Sequence, residues 1–600
     1  MQLIGDRFTE LSAAFGNDLA TLPDFPAEIR APAGTVMGVS SFQVHISDHD
    51  IVTPGDSPNV LIAMNPAALV ANLADMSPGS TLIVNSDAFT QRDLDKAHCE
   101  SNPLEDGSLA AFTVYEVPMT SITVEATKPL GVKVRDAERS KNFFALGLVC
   151  WMYTRPTAPV LEWIEVRFAN KEMVLEANRA AFKAGRNFGE TAELFANQCE
   201  VKPAQLPPGT YRNIIGNTAL ALGLVAASQQ AKLPLVYASY PITPASDILH
   251  ELSKLKHFGC KTMQAEDEIA AASIAIGAAF AGNLAVTGTS GPGLDLKAEA
   301  IGLAISLELP MVVVDVQRAG PSTGMPTKTE QTDLLLAMFG RHGESPLPIV
   351  AAKSPSHCFD AAFEACRLAV KYRTPVILLT DGYLANGAEP WLLPDVESLP
   401  DISVEFTTEP NHVAPDGSPD FWPYLRDPDT LARPWAIPGT PGLQHRVGGI
   451  EKQDGTGNIS YQPKNHEHMV RLRQAKVDGI ASDIPGVDLD HQDGADVLVL
   501  GWGSTWAAIT AGVRRVRAGG QAVAQAHLMH VSPFPADLGD VLSRYERVLI
   551  PEMNLGQLAR LIRGQFLVDA QSYTQVNGLP FRAAAMEQRI LRLIDNEVVQ

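Results

Sequence analysis

Residues 235–244, Leu235-Val236-Tyr237-Ala238-Ser239-Tyr240-Pro241-Ile242-Thr243-Pro244, open the stretch that decides the fold, which runs from Pro234 to Asp333. The apolar run 235–238 predicts a buried strand, and Tyr240 to Pro244 a turn leaving it. Ile248, Leu249, Leu252 and Leu255 follow at helical spacing, and Thr243 before Pro244 predicts an N-cap with proline at the first helical position. A short strand near 262–264 precedes the acidic turn Glu266-Asp267-Glu268 and an alanine-rich helix to Gly282. Leu284 to Thr287 predicts a third strand, entering Gly288-Thr289-Ser290-Gly291-Pro292-Gly293 and another helix. Met311 to Val316 predicts a fourth, ending in Gln317-Arg318-Ala319-Gly320-Pro321-Ser322-Thr323-Gly324. Strand and helix alternate throughout, which predicts a parallel sheet covered on both faces. Each polar cluster falls just after a strand, at the carboxyl edge where open α/β sheets bind ligands.

Outward from this stretch, the helix 217–230 leads in, and 349–351, a helix 358–371 and a strand 376–380 lead out, so 211–388 forms one domain. Residues 1–188 predict another α/β domain, with strands at 43–46, 60–64, 81–84 and 112–117 and helices at 66–74 and 141–151. Pro203, Pro207, Pro208 and Gly209 mark 189–210 as a linker. Across 389–490 prolines and glycines are dense and periodicity fails, which predicts an extended connecting segment with a short helix at 466–477. Residues 491–600 predict a third α/β domain: strand 497–500, turn Gly501-Trp502-Gly503-Ser504, helix 505–517, and strands 522–527 and 548–550. That turn has the composition of a phosphate cradle, although a lone glycine turn between strand and helix is usually only a turn. The fold class is therefore α/β, in three α/β domains.

Composition narrows the function. The 600 residues are 46% hydrophobic and 19% charged, as in a globular enzyme, with a formal charge of −21 from 47 basic against 68 acidic residues. Such an acidic surface argues against nucleic acid and anionic membranes as partners. No apolar run reaches the length of a membrane span and no signal-peptide pattern opens the chain, so a cytoplasmic location is expected. Cys99, Cys150, Cys199, Cys260, Cys358 and Cys366 form no C-x-x-C pair, and so offer no ligand set for an iron–sulfur cluster. If the chemistry needs a cluster, another chain supplies it.

Three motifs carry a resemblance: Tyr240 to Pro244; Glu268 with Gly277 nine residues on; and Gly320 to Thr327 followed by Gln331-Thr332-Asp333. Together they resemble the pyrimidine-binding domain of thiamine-diphosphate enzymes. They are more closely similar to the α subunit of 2-oxoacid:ferredoxin oxidoreductases, in the branch that includes the 2-oxoglutarate enzymes. Pro26-Ala27-Glu28-Ile29-Arg30 and the strand around Phe42 to Val44 resemble the γ domain of that family, here fused to the α subunit. The family's γ domain starts with a strand and a glycine-rich loop, whereas Met1 already lies near the following helix, so a docking role is expected of it. Residues 491–600 resemble the C-terminal domain of transketolase-like enzymes.

The resemblance implies oxidative decarboxylation of a 2-oxoacid with coenzyme A as substrate, single electrons passing to ferredoxin, and possible reversal to fix carbon dioxide. For 2-oxoglutarate the product is succinyl-CoA; pyruvate or branched-chain acids are the near alternative, and a non-catalytic binding subunit the distant one. No Gly-Asp-Gly occurs, and Asp381-Gly382 has Asn386 only four residues beyond the glycine, unlike the family's magnesium-diphosphate motif. The resemblance therefore implies a β subunit carrying magnesium and the [4Fe-4S] cluster, thiamine diphosphate shared between the chains, and an (αβ)2 assembly.

Site residues follow from the same resemblance. Glu268 matches the carboxyl group that hydrogen-bonds the aminopyrimidine, a role favoured at a dry site. Ala270, Ala271 and Ala272 are small enough to let a ring or a neighbouring subunit approach. The bland alternative is a carboxylate at a helix N-terminus, and Glu266 is the rival acid. Tyr240, Pro241, Ile242, Gly291 and Gly293 are expected near the cofactor, although Gly291-Pro292-Gly293 is nearly as well read as a plain turn. Thr243 and Arg318 match positions contacting the 2-oxoacid, against an ordinary N-cap and a structural ion pair as alternatives. Thr327, Lys328 and His342 are expected to serve a second carboxylate, against the alternative of a solvated loop.

Overall fold

The computed structural model describes residues 2–26, 39–192 and 198–595. Ala27, Glu28, Ile29 and Arg30, which carry one of the motifs above, lie outside the described residues. The chain divides into two units, residues 1–213 with 389–392, and residues 214–388 with 393–600.

In the first unit the strands Val60–Ala63, Thr81–Asn85 and Thr113–Val117 form a parallel three-stranded sheet. The expected strand at 43–46 is Ser41–Ser47, but it pairs antiparallel with Asp18–Asp24 in a separate ribbon. That partner strand was not legible, because a stretch with two aspartates and a proline lacks apolar alternation. Helices Lys141–Met152 and Glu172–Thr191 cross closely: a Cβ on Gly147 would lie 2.0 Å from the Phe182 carbonyl oxygen, and one on Gly185 1.9 Å from that of Phe144. Only glycines allow this backbone approach.

The second unit holds the decisive stretch. Strands β1 (Leu235–Ser239), β2 (Lys261–Gln264), β3 (Leu284–Thr289), β4 (Met311–Gln317), β5 (Ile349–Ala351) and β6 (Pro375–Asp381) are mutually parallel, as the alternation predicts. β1, β3, β4, β5 and β6 are buried along their whole length, which explains their unbroken apolar runs. The helix expected from Ile248 onward is Ser246–Lys254. Thr243 is not its N-cap: that position is Ala245, and the Ser246 hydroxyl donates to the Ile242 carbonyl at 2.9 Å to close the turn.

The same unit contains a second sheet built from β7 (Asp488–Asp490), β8 (Val497–Trp502), β9 (Ala524–Leu528), β11 (Arg547–Glu552) and β12 (Ala570–Thr574), in the order β7-β9-β8-β11-β12. Strand β10 (His530–Ser532) leaves it and joins the first sheet antiparallel to β5, giving that sheet the order β10-β5-β6-β4-β3-β1-β2. One hydrophobic core accordingly runs from Ala272 and Val313 to Leu500, Leu528 and Ile550.

The connecting segment is irregular, with one long helix, Pro463–Gly479. It is fastened by charge. Glu308, 2% exposed, receives both terminal nitrogens of Arg426 and the ammonium of Lys476. Burial by itself would raise the Glu308 carboxyl, but Lys476 and Arg426 outweigh it and hold the group at about 2.

Candidate functional site

The order of the first sheet locates its ligand crevice. From β1 the chain proceeds to β2 on one side, whereas β3 lies on the other side of β1 and leads away to β4. Loops leaving β1 and β3 therefore diverge, and the gap outside their carboxyl ends is a topological switch point, where open α/β sheets bind ligands. Tyr240 leaves β1 and Thr289 ends β3, and their hydroxyls meet at 2.8 Å across this gap. Tyr240 is buried, and burial pushes its phenol well above the ordinary range.

Gly291, Pro292 and Gly293 follow β3 after the N-cap Ser290 and open the short helix Gly291–Leu296. A Cβ on Gly293 would lie 2.0 Å from the Tyr240 hydroxyl, 2.2 Å from Thr289 Oγ1 and 2.9 Å from Glu268 Cγ. The glycine is thus required by the crowding of three side chains around it. Glu268 itself is the first residue of the helix Glu268–Phe280, half-buried at the rim, while Glu266 is exposed. The N-cap is Asp267, whose carboxylate accepts the Ala270 amide at 2.8 Å. Capping is done by that neighbour, and the Glu268 side chain is left for other work. Below it, the fully buried Lys297 donates to the Glu268 carbonyl at 2.9 Å and to Thr287 Oγ1 at 3.1 Å.

Arg318, at the end of β4 and 7% exposed, donates to the Thr243 carbonyl at 2.8 Å, which ties the first turn to the fourth strand. Its Nε is buried with no hydrogen-bond partner. A buried, incompletely used guanidinium beside Tyr240 suits a carboxylate. Close by, Asp315 on β4 and Asp333 lie together. Burial, and for Asp315 also the neighbouring carboxylate, pushes both carboxyl groups above the ordinary range. A Cβ on Gly291 would lie 2.7 Å from both Asp333 oxygens.

The structure therefore brings Tyr240, Pro241, Ile242, Thr243, Glu268, Gly291, Gly293 and Arg318 to one edge. Thr327 and Lys328 belong to the loop after Arg318: the Ala319 amide donates to the Lys328 carbonyl at 3.0 Å, and a Cβ on Gly578 would sit 2.8 Å from Lys328 Cβ. His342 is not brought there. It follows the helix Leu334–Phe339, which leads back to the start of β5, so it lies exposed at the amino edge, opposite Arg318. Ala271 and Ala272 are buried against the sheet, so the open face of their helix is formed by Ile269, Ser273 and Gly277. The Gly501–Ser504 turn is filled by the chain itself: the Gln331 amide donates to the Trp502 carbonyl at 2.9 Å, and a Cβ on Gly503 would lie 2.4 Å from Gln331 Nε2. Asp381 is a helix cap, accepting the Tyr383 and Leu384 amides and the Thr329 hydroxyl. Sequence reasoning assigned no place in the site to Thr289, Lys297 or Asp315, and named Asp333 only within a motif. For the lysine and Asp315, a charged residue inside an apolar strand or helix pattern was the available signal.

The cluster fits the aminopyrimidine half of thiamine diphosphate: a carboxyl group at the rim of a crevice that side chains other than glycine would close.

Comparison with known proteins agrees with this geometry. Residues 228–462 match the family model described as pyruvate flavodoxin/ferredoxin oxidoreductase, thiamine diphosphate-binding, and residues 1–188 match that of pyruvate ferredoxin/flavodoxin oxidoreductase. The chain is 57% identical to 2-oxoglutarate oxidoreductase subunit KorA of Mycobacterium tuberculosis, over 97% of this chain and 88% of that one. It is 33% identical to the α subunit of 2-oxoacid:ferredoxin oxidoreductase 1 of Aeropyrum pernix, over 75% and 70% of the two chains. Among solved structures, 2-oxoglutarate:ferredoxin oxidoreductase of Magnetococcus marinus, described with 2-oxoglutarate, coenzyme A and succinyl-CoA bound, superposes with a TM-score of 0.83 at 30% identity, covering 99% of this chain and 97% of that one. On this identity across nearly its whole length, the chain belongs to the 2-oxoacid:ferredoxin oxidoreductase family, as a subunit of the α type.

Proposed function

We propose that this chain is the catalytic α subunit of a thiamine-diphosphate-dependent 2-oxoglutarate:ferredoxin oxidoreductase. The reaction converts 2-oxoglutarate and coenzyme A to succinyl-CoA and carbon dioxide, with electrons passing to ferredoxin, and it can run in reverse. The observation that carries the reading is the convergence of Tyr240, Thr289, Gly293 and Glu268 at the switch point. When bound, thiamine diphosphate supplies a carbanion nucleophile for the 2-oxo carbon. Glu268 holds and releases a proton at its carboxyl group against the aminopyrimidine. Tyr240 and Gly293 shape the wall beside it.

Arg318 takes the carboxylate next to the reacting carbon, with Thr243 beside it, and Thr327 and Lys328 serve the distal carboxylate. A β subunit holding magnesium and the [4Fe-4S] cluster completes the assembly, as (αβ)2. The exposed face of the Glu268–Phe280 helix supports a covering chain there: Ile269 is 54% exposed, and a Cβ on Gly277 would meet nothing within 4 Å.

Glu268→Gln in the assembled enzyme should lower turnover roughly 100- to 10,000-fold with unchanged assembly and Tm, while Glu266→Gln stays near the wild type. Near-normal turnover of Glu268→Gln beside an inactive Glu266→Gln would transfer the role to the other acid.

A further inference from the structure

The mechanism above leaves Lys297 without a task, although it is the most unusual side chain near the site. It is 0% exposed, and its ammonium lies 2.9 Å from the Glu268 carbonyl, 3.1 Å from Thr287 Oγ1 and 5.0 Å from the centroid of the Tyr240 ring. Burying a cation is costly unless it is paired or well hydrogen-bonded. The N-terminus of the Glu268–Phe280 helix is moreover its positive end, which disfavours a cation there. A lysine kept only for packing would be replaced by a neutral side chain without loss. Its three directions instead reach the backbone of the rim glutamate, the strand β3 and the aromatic wall of the crevice.

We propose that Lys297 is a positioning residue for Glu268: it anchors the Glu268 backbone to β3 and to Tyr240, and so fixes where the Glu268 carboxyl group meets the cofactor. The inference rests on the reading of Glu268 given above. Burial, only partly offset by Glu268 and Asp267, brings the Lys297 ammonium down to about 8, so it remains charged at neutral pH. Other charged or titratable groups around this cluster are Tyr240 after β1, Asp267 on the helix itself, Asp295 on the helix Gly291–Leu296, Asp315 and Arg318 from β4, and Asp333 beyond it. They remain in place in the variants described next.

The test is proton-linked binding of thiamine diphosphate to the assembled, cofactor-stripped enzyme, measured by titration calorimetry in buffers of differing ionisation enthalpy across pH 5–9. The difference between wild type and Glu268→Gln isolates the uptake that belongs to Glu268. Lys297→Met should weaken thiamine diphosphate binding about tenfold and lose most of that uptake, because the Glu268 carboxyl group no longer meets the ring. Lys297→Gln retains a hydrogen-bond donor, so at equal Tm it should keep more of both than Lys297→Met. Wild-type affinity and uptake in Lys297→Met, or equal losses in the two variants, overturn the proposal while leaving the role of Glu268 intact. Uptake in Glu268→Gln equal to that of wild type overturns the reading of Glu268 instead.

Discussion

At the scale of single residues, the site is governed by what two glycines permit. Gly293 sits where a methyl group would come within 2.2 Å of both the Tyr240 hydroxyl and Thr289 Oγ1. Gly293→Ala should therefore displace the tyrosine, weaken thiamine diphosphate binding in the calorimeter and destabilise the chain by about 1–3 kcal/mol, the usual cost of overpacking. Gly277 is the opposite case: it lies mid-helix on an exposed face with nothing within 4 Å. Gly277→Ala should stabilise the isolated chain by about 0.5–1 kcal/mol, seen as a rise in Tm. Both glycines were named from the sequence, but it treats them alike. Which of them is crowded depends on side chains far away along the chain, the Tyr240 hydroxyl above all.

At the scale of elements, the segment Thr329–Asp333 joins two sheets. Gln331 accepts the Met553 amide, donates to the Trp502 carbonyl and receives Asn554 on its own carbonyl. It thereby occupies the crevice outside β8 and β11, where the glycine turn alone would suggest a phosphate site. The connecting segment depends on the buried ion cluster around Glu308. Removing Glu308 leaves the buried Lys476 ammonium without its carboxylate, which costs about 3–5 kcal/mol. Glu308→Gln should accordingly lower Tm strongly between pH 5 and 8. Because Lys476 and Arg426 hold the folded-state value at about 2, below the unfolded 4.5, the contribution of Glu308 is fully present above pH 4.5. It is lost as pH falls toward 2, so the gap between variant and wild type should narrow over that interval. Periodicity could not reveal this cluster, since Arg426 and Lys476 stand 118 and 168 residues from their partner.

For the molecule as a whole, the proposed division of labour between chains has a measurable consequence. Four of the six cysteines are buried, and among the described residues no group of three His, Cys, Asp or Glu side chains is placed to hold a metal. Among the described residues, too, no helix is long and apolar enough to cross a membrane. Purified by itself, the chain should carry no stoichiometric iron and no broad iron–sulfur absorbance. Co-expression with the proposed β subunit should bring both colour and 2-oxoglutarate-dependent ferredoxin reduction; stoichiometric iron on the isolated chain would overturn that assignment. The sequence by itself determined the alternation of strand and helix, and with it the placing of Tyr240, Glu268, Gly291 and Arg318 just beyond strand ends. Apolar runs, turn residues and helical spacing are local, and they act over a few positions. The order of the strands was decided only by the tertiary structure. That order makes the β1 and β3 loops face each other across the switch point, sets Lys297 under Glu268 across 29 residues, and brings Gln331 to Trp502 across 171. Such contacts follow from burying complementary surfaces in three dimensions, and no periodicity along the chain records which distant surfaces those are.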